Sequence, residues 1–475
     1  MRRRKGRSLS RTRIVEPISR SESDGRQRGY QVGYDRGRIA GEETFEQIFE
    51  GTSIVIPTYN NKEILLDCLD SIEAYTPGSH EIIIVDDGSS DGTIDVIRNT
   101  RKVRSALHSS NRGFAAAVNT GLMMAKGSTV LVMNNDVLAT ENWLDNMLHC
   151  LHSAPDIGAV GPVTNYIGGE QQIDVPYDTL DDMWSFAADH NVSNPEKWKR
   201  TKRLVGFCLL MPRDVLFHTG YFDEGYEVGN FEDDDWIIRL RLQGLKLVIS
   251  GDTFVHHIGS ATMKSLDQDK FERVNRKNEY FFRNKWGPIY EWLEWLEQNS
   301  VEMGVGIRSG LELHNAQQDV RIRHARQRSA IELFPAQVLA ESSAGLIYWI
   351  DHGTRYRIQI PAGEASERLG MPRVRLSQRE LSRMPLGGEW TIEESVATLE
   401  AALLPEARLA DGAVLELADG RLYQLDRELL RPIMTRYTTD IWGLSVRIRQ
   451  ASAQEISGYS LGLPVLPPSI LVSDL

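Results

Sequence analysis

The chain carries 475 residues, with 54 Lys and Arg against 66 Asp and Glu and a net charge of -12. That balance excludes a protein built for general nucleic-acid binding, which needs a basic footprint, and at roughly 100–200 residues per domain the length implies two or three units. Cys68, Cys150 and Cys208 lack C-x-x-C spacing and make neither a disulfide framework nor a zinc site; with no run near the roughly 20 apolar residues that span a bilayer, they predict a cytoplasmic protein, soluble or peripheral at the inner face of the membrane.

Residues 1–13 hold seven basic side chains and no acid, the composition of a solvated tail, with contact to anionic lipid as the sharper alternative. Gly25, Gly29, Gly33, Gly37 and Gly41 then recur every fourth residue. On a helix that spacing makes a stripe where another backbone can approach closely. Each Gly costs about 1 kcal/mol against Ala, however, so residues 25–48 read either as a helix that forms on docking or pairing, a route to self-association, or as a linker.

From residue 51 apolar runs alternate with helical periodicity: TSIVIP, NKEILLDCLDSIEAY, HEIIIVDD, DGTIDVIRN, FAAAVNTGLMMAKG, STVLVM and TENWLDNMLHCLH. LVGFCLLMP (strand), EDDDWIIRLRLQG (helix), KLVIS and TFVHH (two strands) follow. Such βαβα order predicts an α/β domain over 51–304 with a mostly parallel sheet flanked by helices. In the first helix Ile64, Leu65, Cys68, Leu69 and Ile72 share one face. Residues 264–300 read as helical, with Trp286, Tyr290, Trp292 and Trp295 on an amphipathic surface that either packs across the sheet or docks at a membrane interface.

Past residue 305 the rhythm stops, and a separate β-rich unit is expected over 305–475. GLIYWIDHGTRYRI from Gly345 and GRLYQLDRELLRPI from Gly420 align at an offset of 75, and Leu386-Gly387 recurs as Leu461-Gly462. Two copies of one module, about 345–387 and 420–462, are predicted. They read as an acceptor-holding, self-associating or spacer element.

In an open parallel sheet, ligands bind at the carboxyl ends of strands. Those ends carry Pro57-Thr58-Tyr59-Asn60, Asp86-Asp87-Gly88-Ser89 and Asn134-Asn135-Asp136, joined by Asn111-Arg112-Gly113 before a helix and Asn119 within it. One polar tip is ordinary turn chemistry; several behind apolar runs converge on a rim. Glu232, Asp233, Asp234 and Asp235 open a later helix. Acids there offset the helix dipole by about 0.3–1 kcal/mol each, but four exceed what a cap requires, and their repulsion is expected to raise at least one proton affinity, as suits a general base.

IVIPTYN, IIIVDDGSSDGT, NRGFAAAVNTG and the NND tip, in this order and spacing over about residues 51–285, resemble the family 2 glycosyltransferases of the GT-A fold, specifically bacterial rhamnosyl- or galactofuranosyl-transferase-like members. The resemblance implies inverting, metal-assisted sugar transfer from a nucleotide-diphosphate donor to a glycan, lipid-linked or protein acceptor in cell-surface glycan synthesis. It implies that Pro57, Tyr59 and Asp87 hold the nucleotide base, with Asn60, Asn111, Gly113 and Asn119 lining the same cleft. Asp136 matches the last Asp of the family's D-x-D and implies a ligand for Mg2+ or Mn2+. One carboxylate suffices where phosphates and water complete the octahedron, and Asn134 and Asn135 can hydrogen-bond ribose or phosphate oxygens without adding negative charge. The segment around Glu232 resembles E-D-x-D, which implies Asp233 as base, with Glu232 and Asp235 shaping the acceptor side or orienting Arg239. FVHHIGSAT resembles the family's metal-binding His segment; neighbours on a strand face opposite ways, so one of His256 and His257 is expected to serve.

Two rivals remain at this point. A sugar nucleotidyltransferase wants a glycine-rich basic loop after the first strand, which TYNNKE is not. A non-catalytic scaffold binding surface polymer through its repeats would leave the polar rim without a purpose.

Overall fold

Unbroken β-branched and aliphatic runs form the strands, and the alternation of their side chains decides which helix layer each residue meets. A computed structural model describes residues 47–259, 268–299, 330–360, 372–403 and 409–472; the basic stretch 1–13 and all but the end of the glycine-rich segment at 25–48 lie outside them. In order the catalytic-type region contains β1 (Phe49–Thr58), α1 (Lys62–Tyr75), β2 (His80–Asp86), α2 (Thr93–Asn99), β3 (Val103–Leu107), α3 (Phe114–Met124), β4 (Gly127–Met133), β5 (Val137–Leu138), α4 (Trp143–His152), β6 (Ile157–Thr164), α5 (Leu180–His190), β7 (Trp198–Thr201), β8 (Cys208–Pro212), α6 (Arg213–Thr219), α7 (Glu232–Leu242) and β9 (Lys246–His257).

The expected α/β class is found, with a central, mostly parallel sheet ordered β3-β2-β1-β4-β8-β6-β9-β5 and β7 added on β9. Val55, Ile83 and Val85 face α3 and α7 in one core layer. Their neighbours Ile54, Ile56 and Ile84 face α1 and α4 in the other, against Leu65, Cys68, Leu69, Ile72 and Trp143. Register then positions the rim. Thr58 lies level with Asp86 and Asp86 with Leu107 in parallel pairs, Met133 lies opposite Cys208, and Val137 lies opposite His257.

KLVIS and TFVHH, expected as two strands, are one. β9 keeps its ladder with β6 but slips between Ser250 and Phe254, and Gly251 sits at the irregularity, where a Cβ would be 2.3 Å from the Lys197 carbonyl. β6 itself escaped the sequence reading because Gly158, Gly161 and Pro162 interrupt it. Gly161 is required by close packing, since a Cβ there would lie 2.5 Å from Gln171 Nε2.

After β9 come α8 (Gln268–Trp286) and α9 (Ile289–Asn299), separated at Gly287 (φ 54°) and Pro288. Trp286 is fully buried, so it is core, whereas Tyr290 is half exposed. Lys285, also fully buried, donates to Asp223 at 2.5 Å and to Asp235 at 2.6 Å. Asp235 further accepts from Trp286 Nε1 at 2.8 Å, Tyr226 Oη at 3.1 Å and Arg239 Nε at 3.0 Å.

The C-terminal region forms two five-stranded sheets of identical connectivity. The first is β10 (Val338–Glu341), β11 (Ile347–Asp351), β12 (Thr354–Gln359), β13 (Arg373–Arg375), α10 (Gln378–Arg383) and β14 (Leu386–Thr391), ordered β13-β10-β11-β12-β14. After α11 (Ile392–Leu403) the second repeats it as β15 (Val414–Glu416), β16 (Leu422–Asp426), β17 (Leu429–Ile433), β18 (Ile448–Gln450), α13 (Ala453–Ile456) and β19 (Ser460–Leu461), ordered β18-β15-β16-β17-β19, with α12 (Arg436–Ile441) between β17 and β18. Each module begins one strand earlier than its sequence signature. The hairpin turns match at the same offset: His352 and Gly353, like Arg427 and Glu428, both take positive φ, the two-residue geometry that suits the twist of paired strands.

The described residues from Glu50 onward group into one compact unit; the boundary expected at 304 and 305 lies outside the described residues. Val338, Ile350, Val414 and Ile433 of the two modules share one core cluster, and Leu333 and Leu466 join Ile238, Phe282 and Trp286 in another. Replacing Lys285 by Met strands two buried carboxylates, so urea unfolding should show a loss of about 3–5 kcal/mol. Lys199→Met, at a surface pair with Glu170, should stay within about 0.5 kcal/mol.

Candidate functional site

The first tip turns on two asparagines. Asn60 and Asn61 both adopt left-handed backbone (φ 57° and 60°), a conformation Asn tolerates better than most residues. This swings the chain from β1 into α1 and ties the first tip to the second: Asn60 N donates to Ser89 Oγ at 2.7 Å, and Asn60 Oδ1 accepts from Ser90 N at 2.9 Å. Pro57 is buried and Tyr59 half-buried at the same end. Asp86 accepts from Ser89 N through Oδ2, while its buried Oδ1 has no hydrogen-bond partner.

Asp87 is an organiser. Its oxygens accept from Arg112 N at 2.9 and 3.0 Å and from Gly113 N at 2.8 Å, with His108 Nδ1 2.7 Å away. Asn111 closes the same turn, its Oδ1 accepting from Gly113 N at 3.2 Å. Asn119, expected on the cleft wall, is instead fully buried. Its Nδ2 donates to Phe222 O at 2.9 Å and Glu224 Oε1 at 3.0 Å, and its Oδ1 accepts from Phe222 N at 2.8 Å, so it holds a loop behind the cleft. A 3.6-residue pattern cannot distinguish an amide that brackets backbone from one that meets a ligand.

At the third tip Asn135 Nδ2 donates to Thr58 Oγ1 at 2.8 Å, and Asn134 keeps a buried Oδ1 without a hydrogen-bond partner. Asp136 Oδ1 lies 3.1 Å from His257 Nε2. The other ring nitrogen of His257, Nδ1, is 2.7 Å from the Tyr166 carbonyl, which can only accept, so Nδ1 donates there and Nε2 is the nitrogen that faces the carboxylate. A hydrogen bond from Nδ1 to a carbonyl orients an imidazole so that its Nε2 is aimed at one place, here the Asp136 carboxylate. His257 is further held by Asn165, which brackets its backbone at 2.8 and 3.1 Å, and by stacking on Phe207 at 5.4 Å. His256 points the other way, to Tyr177 Oη at 2.8 Å.

The four acids at the start of α7 divide into two pairs. Asp234 is held by Arg203 through two bonds of 2.6 and 2.9 Å, and Asp235 by Lys285 and Arg239. The other two have no such cation. Burial first, and Asp234 second, push the Asp233 carboxyl up to about 6, even though it accepts from Gly206 N at 2.8 Å. Glu232 is raised well above the usual range by burial and then by Asp233, and its buried Oε2 has no hydrogen-bond partner. The raised proton affinity expected from repulsion is present, with burial as its larger cause. Arg239 lies behind the site, donating to Asp235 and to the carbonyls of Thr219 and Tyr221 at 2.8 Å.

The polar tips and the acid helix form a closed circuit. Asp87 N donates to Thr58 O; Asp87 holds Gly113; Phe114 N donates to Val228 O; the chain then runs from Val228 into Glu232 and Asp233 at the start of α7; Asp233 accepts from Gly206; Phe207 O accepts from Asn134 N; and Asn135 returns to Thr58. Gly206 is obligatory here, because a Cβ would sit 2.9 Å from Asp233 Cβ. Gly206 and several residues that brace the circuit escaped the sequence reading. His108, Arg203, Gly206 and Asn278 are single residues far from their partners, and only the glycine beside an apolar strand gave a local signal.

Asn278 on α8 governs the loop entering α7. That loop carries positive φ at Val228 (62°), Asn230 (83°) and Phe231 (76°), and a β-branched residue there is a genuine outlier. Asn278 Nδ2 donates to the carbonyls of Glu227, Gly229 and Asn230 at 2.9 to 3.2 Å, and its Oδ1 accepts from Glu227 N at 3.0 Å. Strain of this kind persists only where the surroundings over-determine it.

Two cavities of about 560 and 580 Å3 lie apart from the circuit, one beside His218, His352 and Arg431, the other beside Ile347 and Arg357. His352, Asp411 and Asp426 bring possible ligand atoms within 4.8 Å of one another. The imidazole already faces Asp411 at 2.6 Å and Asp426 at 2.8 Å, and it joins the two repeats.

Residues 53–217 match the model of glycosyl transferase family 2. Glycosyltransferase GlyG of Streptococcus pneumoniae serotype 4 is 32% identical over 208 residues, which are 42% of this chain and 68% of that protein. A chondroitin synthase of Escherichia coli is 23% identical over 275 residues, 50% of this chain but 40% of its own. Among solved structures, the mannosyltransferase PcManGT from Pyrobaculum calidifontis, in complex with GDP-Man and Mn2+, overlaps 58% of this chain and 80% of its own at 18% identity and a TM-score of 0.34.

Asn278→Ala should leave the sheet folded but release the loop. Hydrogen exchange at the amides of 227–231 should quicken by about tenfold or more, as expected for losing bonds worth about 1 kcal/mol each, while β1 and β4 keep their protection.

Proposed function

The chain belongs to glycosyl transferase family 2, and from that premise we propose that it moves a hexosyl or pentosyl group from a nucleoside-diphosphate donor to an acceptor hydroxyl, with inversion at the anomeric carbon. The observation that carries this reading is the circuit in which Gly206 and Phe207 join Asp233 on one side to Asp136 and His257 on the other. Pro57, Tyr59, Asn60 and the Asn111–Gly113 turn form the nucleoside side of the donor site. Asp87 contributes by fixing that turn, and Asn134 offers an unsatisfied acceptor oxygen to a ribose hydroxyl.

Asp136 and His257 would hold a divalent cation, Mg2+ or Mn2+. When bound it supplies positive charge against the donor's diphosphate. His256 belongs to the opposite face of the strand and is no part of this set.

Asp233 takes the proton of the acceptor hydroxyl as its oxygen bonds to the anomeric carbon and the bond to the diphosphate breaks. A buried carboxylate raised to about 6 is still ionised at neutral pH, yet it is more basic than an exposed one, which is the compromise general-base catalysis requires. Glu232, with its buried Oε2, lies one residue away and borders the acceptor side. Asp234 and Asp235 stay paired with their cations and take no proton. The acceptor is a glycan, a lipid-linked saccharide or a protein. Peripheral membrane contact and self-association through the repeats or the glycine-rich segment belong to the same proposal.

The rate should fall about tenfold per pH unit below about 6, because the base must be deprotonated. Asp233→Asn should abolish transfer while nucleotide binding survives, and initial rates with matched calorimetry check both. Stability has the opposite sign. A carboxyl raised in the folded state binds its proton more tightly there than in the unfolded chain, so folding loses stability as pH climbs from the ordinary Asp value towards 6. Asp233→Asn should therefore melt higher than the parent at pH 7.5, and the difference should shrink at pH 4; equal melting curves at both pH values would contradict the assignment. For the cation pair, His257→Ala should weaken Mn2+ binding by about 10-fold or more, whereas His256→Ala should leave it intact by titration calorimetry.

A further inference from the structure

The last described residues of the chain return to the donor side of the site. Glu224 lies in the loop that Asn119 brackets, and its side chain is 2% exposed. Its backbone N donates to Ile470 O at 2.8 Å, and its Oε2 accepts from Val472 N at 3.0 Å. Leu471, between them, is buried in the same core layer as α3 and α7. A Cβ on Gly225 would sit 2.9 Å from Ile470 Cδ1, so the loop is shaped to receive this segment. On its other side the Glu224 carboxylate accepts from Asn119 at 3.0 Å and lies 3.8 Å from the Arg112 guanidinium.

We propose that residues 463–472 are a strap that positions the donor site, acting through Glu224 on Arg112. A nearly fully buried carboxylate needs partners for all its oxygens, and the Val472 amide is one that only the far end of the chain supplies. Asp87 holds the Arg112 backbone N–H, and the Glu224 carboxylate faces its guanidinium at 3.8 Å. A guanidinium so oriented beside the Asn111–Gly113 turn suits the anionic part of a nucleoside diphosphate. Glu224 and Val472 are positioning residues, since neither touches the donor. This inference rests on the donor-site reading given above.

The test uses the full-length protein with UDP, GDP and dTDP, each with Mn2+, by titration calorimetry. Val472→Pro removes the N–H, and Val472→Ala keeps it. Glu224→Gln keeps an oxygen acceptor but loses the charge facing Arg112. For whichever nucleotide the parent binds, Val472→Pro and Glu224→Gln should weaken affinity about 5- to 20-fold, the scale of one hydrogen bond or ion pair to a buried charge. Val472→Ala should match the parent, and Mn2+ binding at Asp136 should be unchanged in all three. Parent-like nucleotide affinity in Val472→Pro overturns the strap. So does an equal loss in Val472→Pro and Val472→Ala, or a loss of Mn2+ binding in step with a lowered melting temperature, because either marks general loosening. If the parent binds none of the three nucleotides, the donor-site reading itself fails, a result distinct from failure of the strap.

Discussion

Everything at the acid end of this site depends on one ammonium group removed from water. Lys285 has no exposed surface and lies between Asp223 and Asp235, which have none either. Burying such charges costs several kcal/mol per ion unless geometry and hydrogen bonds compensate. At Asp235 they do: burial alone would raise it, but Lys285 and Arg239 outweigh burial and hold the carboxyl below its usual range, whereas at Asp223 burial prevails and the carboxyl stays raised. The cluster thus fastens α8, which follows β9, to the start of α7 and to the loop at 223–226. Asn278, about two turns earlier on the same helix, then holds the strained turn before α7. One helix therefore sets the height, the rotation and the entry angle of the acid-bearing end.

That anchoring explains why four consecutive acids can coexist. Successive helical residues point about 100° apart, so each acid meets a different neighbourhood. Asp235 faces the ammonium and Asp234 faces Arg203, and these two carry ordinary ion-pair roles. Asp233 and Glu232 face the Gly206 amide and the strained turn, where burial is not offset by a cation in direct contact. The elevated proton affinity therefore belongs to the two residues nearest the strand tips. The four-letter run is not a uniform patch of negative charge.

Much of this geometry was legible in the sequence, for identifiable reasons. Apolar runs ending in polar residues revealed the strand tips, because a strand buried on both faces leaves only its end free to bind anything. Alternation along β9 sends the paired histidines to opposite faces, and His257 is the one beside Asp136, while His256 meets Tyr177. The 75-residue offset predicted two modules, and both sheets carry the same strand order. Asn119 was misplaced because composition cannot separate a buried amide from an exposed one. KLVIS and TFVHH looked like separate strands because the intervening Gly251 and Asp252 resemble a turn; in fact the slip is absorbed without leaving the sheet. Lys285, Asn278 and Arg203 sit in ordinary amphipathic surroundings, and their importance comes from partners tens of residues away.

The longest of those separations limits how the protein can be divided. Val472 and Glu224 are 248 positions apart, yet the loop-closure entropy for such a span grows only with the logarithm of its length, so a distant segment can complete a core at modest entropic cost. Leu471 fills the layer beneath α7, and Leu466 joins Trp286 and Ile238. A fragment ending near 304 would leave both slots open, at about 2–5 kcal/mol for each buried leucine removed, and would also strip Glu224 of the Val472 amide. After the second β module the described chain returns to the α/β region, with Leu471 in its core layer and Val472 at Glu224. The family match covers residues 53–217, but the physical unit that supports the site extends through Val472.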